Sequence, residues 1–316
     1  MKKRLMIVDA HNQFLRSYIV DPSLSTNGQP IGGSKGFLKI LNKLTRIISP
    51  DMTIVVWDGE GGSQKRRAQN KNYKQGRKPV RLNRDIRHLT EEQERENKAW
   101  QQIRAIEYLN QTPVVQFMEP RVEADDVIGT LAFQATKLNQ KTLISTGDKD
   151  LAQLVNEHIT LMNTMTSEVL DTLGVEKKFG IGPGLIVDYL ALMGDKADNI
   201  PGVPGVGPKT AVKWLLEYGS MEGIIENAAL VGGKIGQRLR DNIDQLRLSH
   251  ELATIKLDVE LEVEIPNLVH GAVDDSALYD LFSALEFKTW IKELEEKGIT
   301  GSGAVWGSSG DDAEGM

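Results

Sequence analysis

Residues 142–150 read Thr142-Leu-Ile-Ser-Thr-Gly-Asp-Lys-Asp150, a short run of strand-forming residues that stops at a glycine and two carboxylates. Other runs behave alike: Leu5–Val8 ends at Asp9, and Thr53–Trp57 ends at Asp58. Val114–Phe117 is followed, after a turn, by Glu123, Asp125 and Asp126, and Ile159–Met162 supplies one more apolar run. Between the runs lie stripes at helical spacing, among them Phe37, Leu38, Leu41, Leu44, Ile47 and Ile48, and Ile128, Leu131, Ala132, Ala135 and Leu138. Thr90 with Gln93 forms a capping-box pattern before a charged helix that turns apolar at Trp100, Ile103 and Ile106. Strand–helix alternation predicts an α/β fold with a mainly parallel central sheet flanked by helices.

Ligands of open α/β sheets bind beyond the carboxyl ends of the strands. Parallel strands would therefore bring four sequence-distant acid groups to one edge, with Asp195 and Asp198 completing the cluster. Taken singly, an Asp after a strand is usually a helix cap or turn residue. Crowded together, carboxylates raise one another's pKa values and repel unless cations neutralise them. The chain has no cysteine, and its five histidines (11, 88, 158, 250, 270) are scattered. All-oxygen ligation suits Mg²⁺ or Mn²⁺. Two such ions about 4 Å apart can activate a water and hold the leaving oxygen in an in-line phosphodiester displacement. No Ser-His-Asp order or Walker loop is present, and Gly180-Ile-Gly-Pro-Gly184 lacks the lysine and strand context of a P-loop.

The second informative stretch is Gly194-Asp-Lys-Ala-Asp-Asn-Ile-Pro-Gly-Val-Pro-Gly-Val-Gly-Pro-Lys-Thr210. The spacing of Asp195 and Asp198 predicts one side of a helical turn. The glycine–proline hairpin after them leads into an apolar, helix-like run from Ala211 to Leu216 and offers backbone N–H groups to phosphate. From about residue 180 the pattern is helical, and Ile235, Leu239, Ile243 and Leu246 predict one helix of about five turns or more, reaching Ile255. Residues 298–316, rich in glycine and serine with three acids, read as a disordered acidic tail. The predicted organisation is an α/β domain over 1–179, a helical subdomain over 180–297, and that tail.

The formal net charge of −6 conceals segregation: residues 65–87 hold ten Lys or Arg against one acid, and residues 258–316 hold fourteen acids against three Lys. A basic block in an acidic chain fits a polyanionic partner, with other acids holding cations; the plainer reading is a solvated loop. No apolar run approaches the ~20 residues that span a bilayer. The N-terminus meets Asp9 too soon for a secretory signal. These features, with the lack of cysteine, predict a cytoplasmic protein with no membrane partner.

Taken in order, Ile7-Val-Asp9, Val56-Trp-Asp58, Tyr73-Lys74 with Arg77, Glu123-Ala-Asp-Asp126, Gly147-Asp-Lys-Asp150, the 194–210 block, Leu252-Ala-Thr-Ile-Lys256 and Leu285-Glu-Phe287 resemble the 5′-nuclease superfamily. That family comprises the 5′→3′ exonuclease domain of bacterial DNA polymerase I, free-standing phage 5′-exonucleases and flap endonucleases. The resemblance covers about residues 4–296. It implies a PIN-like 5′-nuclease sheet with an acidic two-metal centre, a helical arch at 65–100, and a C-terminal helix–hairpin–helix-type subdomain gripping duplex DNA.

By this resemblance Asp9, Asp58, Glu123 and Asp125 fall mainly at one metal and Asp148, Asp150 and Asp198 at the other, with Asp126 and Asp195 farther out. Lys74 matches the arch lysine that contacts the scissile phosphate. Arg66 and Arg77 are candidates for stabilising developing charge, although Lys65 stands where relatives often carry an aromatic. Tyr73 either stacks on a base or packs against the arch base. Gly202, Val203, Gly205, Val206, Gly207, Lys209 and Thr210 are the expected duplex contacts, with K⁺ at the hairpin turn.

The implied activity is structure-specific 5′→3′ exonuclease and flap endonuclease action on DNA with 5′ ends or flaps, and on RNA primers, in replication and repair. Mg²⁺ would be the cofactor, with Mn²⁺ able to substitute. A free-standing monomer that meets replication proteins is expected. The rival readings are a PIN-like endoribonuclease, which the 194–210 module argues against, and a non-catalytic binder of branched DNA.

Overall fold

The computed structural model describes residues 4–76, 80–86 and 88–303. Its strands are Arg4–Asp9 (β1), Met52–Val56 (β2), Val115–Phe117 (β3), Lys141–Ser145 (β4), Ile159–Asn163 (β5) and Glu168–Leu170 (β6). β1 with β4, β4 with β5, and β2 with β3 pair parallel, and β5 with β6 pairs antiparallel. The sheet is thus mostly parallel and flanked by helices, as predicted. The short β6 had no apolar run to announce it; it returns from β5 through a turn in which Ser167 is left-handed, φ 56°.

The chain gathers into two compact units, each built from separated stretches. One comprises Met1–Asp9, Trp57–Lys78 and Met118–Ile265. Here Leu5, Met6, Ile7 and Val8 are all buried, the continuous apolar run of a strand covered on both faces. Helix Ala124–Lys137 packs on β1 and β4 through Val127, Ile128, Leu131, Ala132 and Ala135. The helical part of this unit includes Ile186–Met193, Pro208–Tyr218, Gly233–Asp241 and Ile243–Ala253, the last packed on the first.

The other unit comprises Ala10–Val56, Pro79–Phe117 and Pro266–Met316. It holds β2, β3 and helices Ala10–Val20, Gly32–Ile48, Glu91–Asn110, Asp275–Ala284 and Lys288–Glu295. Phe14, Tyr18, Phe37 and Leu38 fill one cluster, and Tyr108, Phe282 and Trp290 another. The capping box forms: Thr90 Oγ1 accepts from the Gln93 N–H at 3.2 Å, and Gln93 Oε1 from the Thr90 N–H at 3.0 Å. Region 65–100 contains most of the short helix Gln64–Gln69, the single turn Arg84–Ile86 and the first half of Glu91–Asn110.

Two expectations need correction. The long helix over 235–255 is two helices, interrupted at Asn242, whose φ of −123° is non-helical and whose amide donates to the Arg238 carbonyl at 2.7 Å. A local side-chain bond has displaced helical continuation. Asp195 and Asp198 do not lie on a helical turn. Asp195 and Ile200 exchange both backbone hydrogen bonds at 2.8 Å, closing a tight loop, and Asp195 Oδ1 accepts from the Ala197 N–H at 2.7 Å. This is the local turn that Asp favours over helix. Within the expected tail, the Ser302 N–H bonds the Asp280 carboxylate at 2.9 Å, while 304–316 lie outside the described residues. Among the described residues, no helix is long and apolar enough to cross a membrane.

Candidate active site and nucleic-acid interface

Parallel pairing of Val8 with Ser145 brings Asp9 beside the residue after β4, and Thr146 Oγ1 donates to Asp9 Oδ2 at 2.8 Å. The same hydroxyl accepts from the Asp148 N–H at 3.0 Å, and Asp148 Oδ1 accepts from the Asp150 N–H at 3.0 Å. Asp58 Oδ1 takes the Ala124 N–H at 3.0 Å, so it holds the helix start that carries Asp125. Burial, reinforced by Asp148, Asp9 and Asp58, drives the Asp125 carboxyl well above the usual range. Burial also raises Asp148, with Asp198 and Asp195 adding to the rise. Burial together with Asp148 and Asp195 pushes Asp150 up to about 8. Asp150 Oδ1 is buried with no hydrogen-bond partner among the described residues. These acids repel one another, and Lys74 and Lys149 offset that only in part, a state that a hard cation relieves.

Asp9, Asp58, Asp125, Asp148 and Asp150 therefore fit a divalent metal by donor chemistry. Even so, among the described residues no three acidic or histidine side chains are arranged to hold an ion as they stand. The acids are gathered but not closed into a cage.

Glu123 and Asp126 belong to a different network. Glu123 accepts from Ser63 Oγ at 2.8 Å and Tyr73 Oη at 3.2 Å, and from both Arg66 and Lys74. Burial would raise its carboxyl, but Lys74 and Arg66 outweigh it and hold the group below its usual range. Arg66 is buried, and all of its N–H donors are committed: to Glu123, to both Asp126 oxygens at 2.9 and 2.8 Å, and to the carbonyls of Leu252 at 3.1 Å and Thr254 at 2.9 Å. The expectation that Arg66 stabilises developing charge finds no free donor here; Arg66 ties the helix start at 123–126 to segment 252–254. Glu123 likewise serves as the anchor of this network rather than a free ligand. Arg77, the other candidate for that role, lies outside the described residues.

Tyr73 is only 3% exposed, and its hydroxyl also lies 3.4 Å from Asp198 Oδ2, so packing rather than base stacking describes it. The Lys74 ammonium meets Glu123, stands 3.8 Å from Asp198 Oδ2 and lies 5.2 Å from the Tyr73 ring centroid. Burial opposes its charge, but Glu123, Asp198 and Asp125 together raise its pKa. Lys149, a cation between Asp148 and Asp150 in sequence, pairs with Asp195 and holds that carboxyl below its usual range against burial.

The 194–210 block turns sharply out of helix Ile186–Met193. A Cβ on Gly202 would meet the Met193 carbonyl carbon at 2.2 Å and the Gly194 nitrogen at 2.4 Å, so the crossing requires a glycine. Val203 and Val206 are buried and anchor the hairpin, with the Val206 N–H bonded to the Val203 carbonyl at 2.9 Å. Gly205 is left-handed, φ 88°, and exposed with Lys209, at the start of helix Pro208–Tyr218. The expected apolar contacts Val203 and Val206 thus act from the core, leaving backbone and Lys209 to face outward.

Sequence reasoning missed Ser63, Thr146 and Lys149 as members of the site. Lys149 was visible inside the acid motif; the others gave no signal beyond polarity.

This arrangement has counterparts. Residues 4–180 match the family described as 5′-3′ exonuclease, N-terminal resolvase-like domain, and residues 181–276 match 5′-3′ exonuclease, C-terminal SAM fold. DNA polymerase I of Pseudomonas aeruginosa is 42% identical over 299 residues, covering 92% of this chain and 31% of its own length. The chain thus spans about a third of such polymerases. A 5′-3′ exonuclease of Aquifex aeolicus is 33% identical, with 93% of this chain and 96% of that protein covered. The T5 D15 flap endonuclease, solved with DNA and metal ions, shares the fold at a TM-score of 0.68 and 22% identity, covering 93% of this chain and 98% of its own. With one model matched over residues 4–180 and the other over 181–276, the chain belongs to the 5′-3′ exonuclease family.

Proposed function

We propose that this chain is a divalent-metal-dependent 5′→3′ exonuclease and flap endonuclease, acting near 5′ ends of DNA and on RNA primers paired to DNA, as in primer and flap removal during replication and repair. The observation that carries this reading is the crowd of Asp125, Asp148 and Asp150 beside Asp9 and Asp58, whose carboxyls stay raised despite Lys74 and Lys149. Asp9, Asp58, Asp125, Asp148 and Asp150 would hold Mg²⁺ or Mn²⁺, with Asp198 at the margin. Such ions, when bound, supply water activation and charge neutralisation in phosphodiester hydrolysis.

The chain's own residues do the rest. Lys74, half-engaged by Asp198 at 3.8 Å, can exchange a carboxylate contact for a phosphate oxygen and favour the charge that develops there. Arg66, Tyr73, Glu123 and Asp126 hold the Lys74 loop and the Asp125 helix start in place, and Lys149 fixes Asp195. Backbone N–H groups and Lys209 of the 202–210 hairpin grip duplex phosphates without reading sequence. A K⁺ ion at the hairpin turn belongs to the same proposal.

A 5′-labelled flap duplex with Mg²⁺, wild type beside Asp148→Asn, tests this reading. Wild-type cleavage lost in the variant is expected. Tight binding without wild-type cleavage would make the chain a branched-DNA binder, and preference for structured RNA would make it an endoribonuclease.

A further inference from the structure

A cavity of about 1070 Å³ opens in the first unit between the Lys74 loop and the 195–201 turn, with the start of helix Ile243–Ala253 as its third wall. Its chemistry differs from that of the sites around it. Where a phosphate groove would carry Lys and Arg throughout, six of the fourteen residues that line this one are carboxamides, with Asp195 and Asp244 as its acids. Those of Asn72 and Gln75 are exposed and make no hydrogen bond among the described residues. Pro201 and Leu248 give it an apolar wall, and Lys71 and Lys196 stand exposed at its edge.

The cavity is held in shape by amides that are already committed. Asn199, left-handed at φ 53°, donates to the Asn72 carbonyl at 3.0 Å and to the Gln75 carbonyl, locking the two walls together. Gln245 donates to the Gly202 carbonyl at 3.0 Å, joining the third wall to the hairpin. Asn72 and Gln75 therefore project from a braced backbone.

Carboxamides present a donor and an acceptor side by side. Phosphate oxygens use only donors, whereas the edges of nucleobases need both. An apolar wall suits the face of a base, and two lysines suit the phosphates that flank it. The cavity also adjoins both parts of the proposed nuclease: its Asn72–Gln75 wall carries Lys74, and its 195–201 wall runs into the hairpin. A strand that is gripped at the hairpin and cut at the acids passes its mouth.

We infer that this carboxamide-lined cavity is a subsite for one unpaired nucleotide next to the scissile phosphate, with Asn72 and Gln75 contacting the base edge. The inference rests on the proposed nuclease reading and adds a determinant of where the strand is held. Base identity matters little, since a rotatable carboxamide can serve any base edge.

The experiment is a cycle of abasic substitutions and variants, read as binding to a flap duplex in Ca²⁺. Abasic nucleotides are placed singly at each of the two positions either side of the cleavage point. One position is expected to lose roughly 5- to 20-fold in affinity, the range of a single stacked base. The Asn72→Ala, Gln75→Ala double variant should lose a similar factor on intact DNA and nothing further on DNA abasic at that position. Its melting temperature should match wild type, because both side chains are exposed and unbonded. Losses that multiply independently, or a variant that binds every substrate like wild type, overturn the subsite. Cleavage in Mg²⁺, measured separately, judges the nuclease reading, so a chain that binds without cutting would fail there while the coupling still decides the subsite.

Discussion

The Lys74 N–H donates to the Asp198 carbonyl at 2.9 Å, while the same two residues face each other through their side chains at 3.8 Å. A backbone bond and an ion pair between one pair of residues fix the candidate phosphate-binding cation against the loop that closes the acid cluster. Lys74 is itself left-handed, φ 55°, a conformation that costs a non-glycine residue about 1 kcal/mol. The network around Glu123 sustains that strain.

This placement makes Lys74 a group for the reaction more than for affinity. Lys74→Ala is expected to slow single-turnover flap cleavage by roughly 100-fold or more, with binding in Ca²⁺ changed by less than about threefold. Equal losses in rate and binding would remove its catalytic role.

Arg66 predicts a different pattern. Arg66→Ala strands Asp126 and the carbonyls of Leu252 and Thr254, and should cost about 3–5 kcal/mol of stability. Arg66→Lys should recover little, since an ammonium cannot reproduce the planar fork. A variant that folds like wild type by urea denaturation yet fails only in catalysis would return Arg66 to the chemistry.

Acidity gives a third test. Asp150 titrates at about 8 in the folded chain against an ordinary 3.8, so the folded state binds more protons than the unfolded state between those values. Stability of the metal-free protein should therefore fall as pH rises from about 5 to 8. Glu123 and Asp195, held below their usual range, act in the opposite sense but only below their ordinary values of 4.5 and 3.8. Thermal melts in EDTA should show the decline, Asp150→Asn should lessen it while the raised Asp125 and Asp148 keep part of it, and Mg²⁺ should reverse it while releasing protons. A melting temperature that climbs steadily from pH 5 to 8 in EDTA would contradict the crowded-acid description.

The hairpin offers the fourth. Gly205→Ala imposes a Cβ on a backbone at φ 88° and 2.5 Å from an Arg238 guanidinium nitrogen, a strain of about 1–2 kcal/mol. Duplex affinity should drop several-fold, with the cleavage rate of bound substrate preserved. Lys209→Ala should instead lower the slope of log affinity against log salt by about 1. Unchanged affinity and slope would place duplex binding elsewhere.

Much of this was legible in the chain. Strands that end in acid announced the sheet and the gathering of carboxylates, because a buried parallel strand must be apolar and its carboxyl end is where polar groups can emerge. What the pattern could not convey was partner choice. Glu123 and Asp125 look equivalent in sequence, yet one sits among cations and the other among acids. Arg66 and Lys74 both read as cations of a basic block, and only packing shows that one is spent on carbonyls. The break at Asn242 and the loop at Asp195 arose from short side-chain-to-backbone bonds that compete locally with helix, a contest that periodicity does not register.

The pairing of β1 with β4 has a consequence for how the chain is made. Arg4 lies opposite Lys141, so this edge of the first strand waits for its partner some 137 positions later. At ribosomal rates of about 5–20 residues per second, that is roughly 7–27 s before Asp9 can meet Thr146. Through that interval the nascent chain carries an apolar strand with an unpaired edge, and the acid cluster does not exist. The acid cluster therefore forms only after β4 has been made, and until then the β4-facing edge of Leu5–Val8 stays open to pairing with other chains.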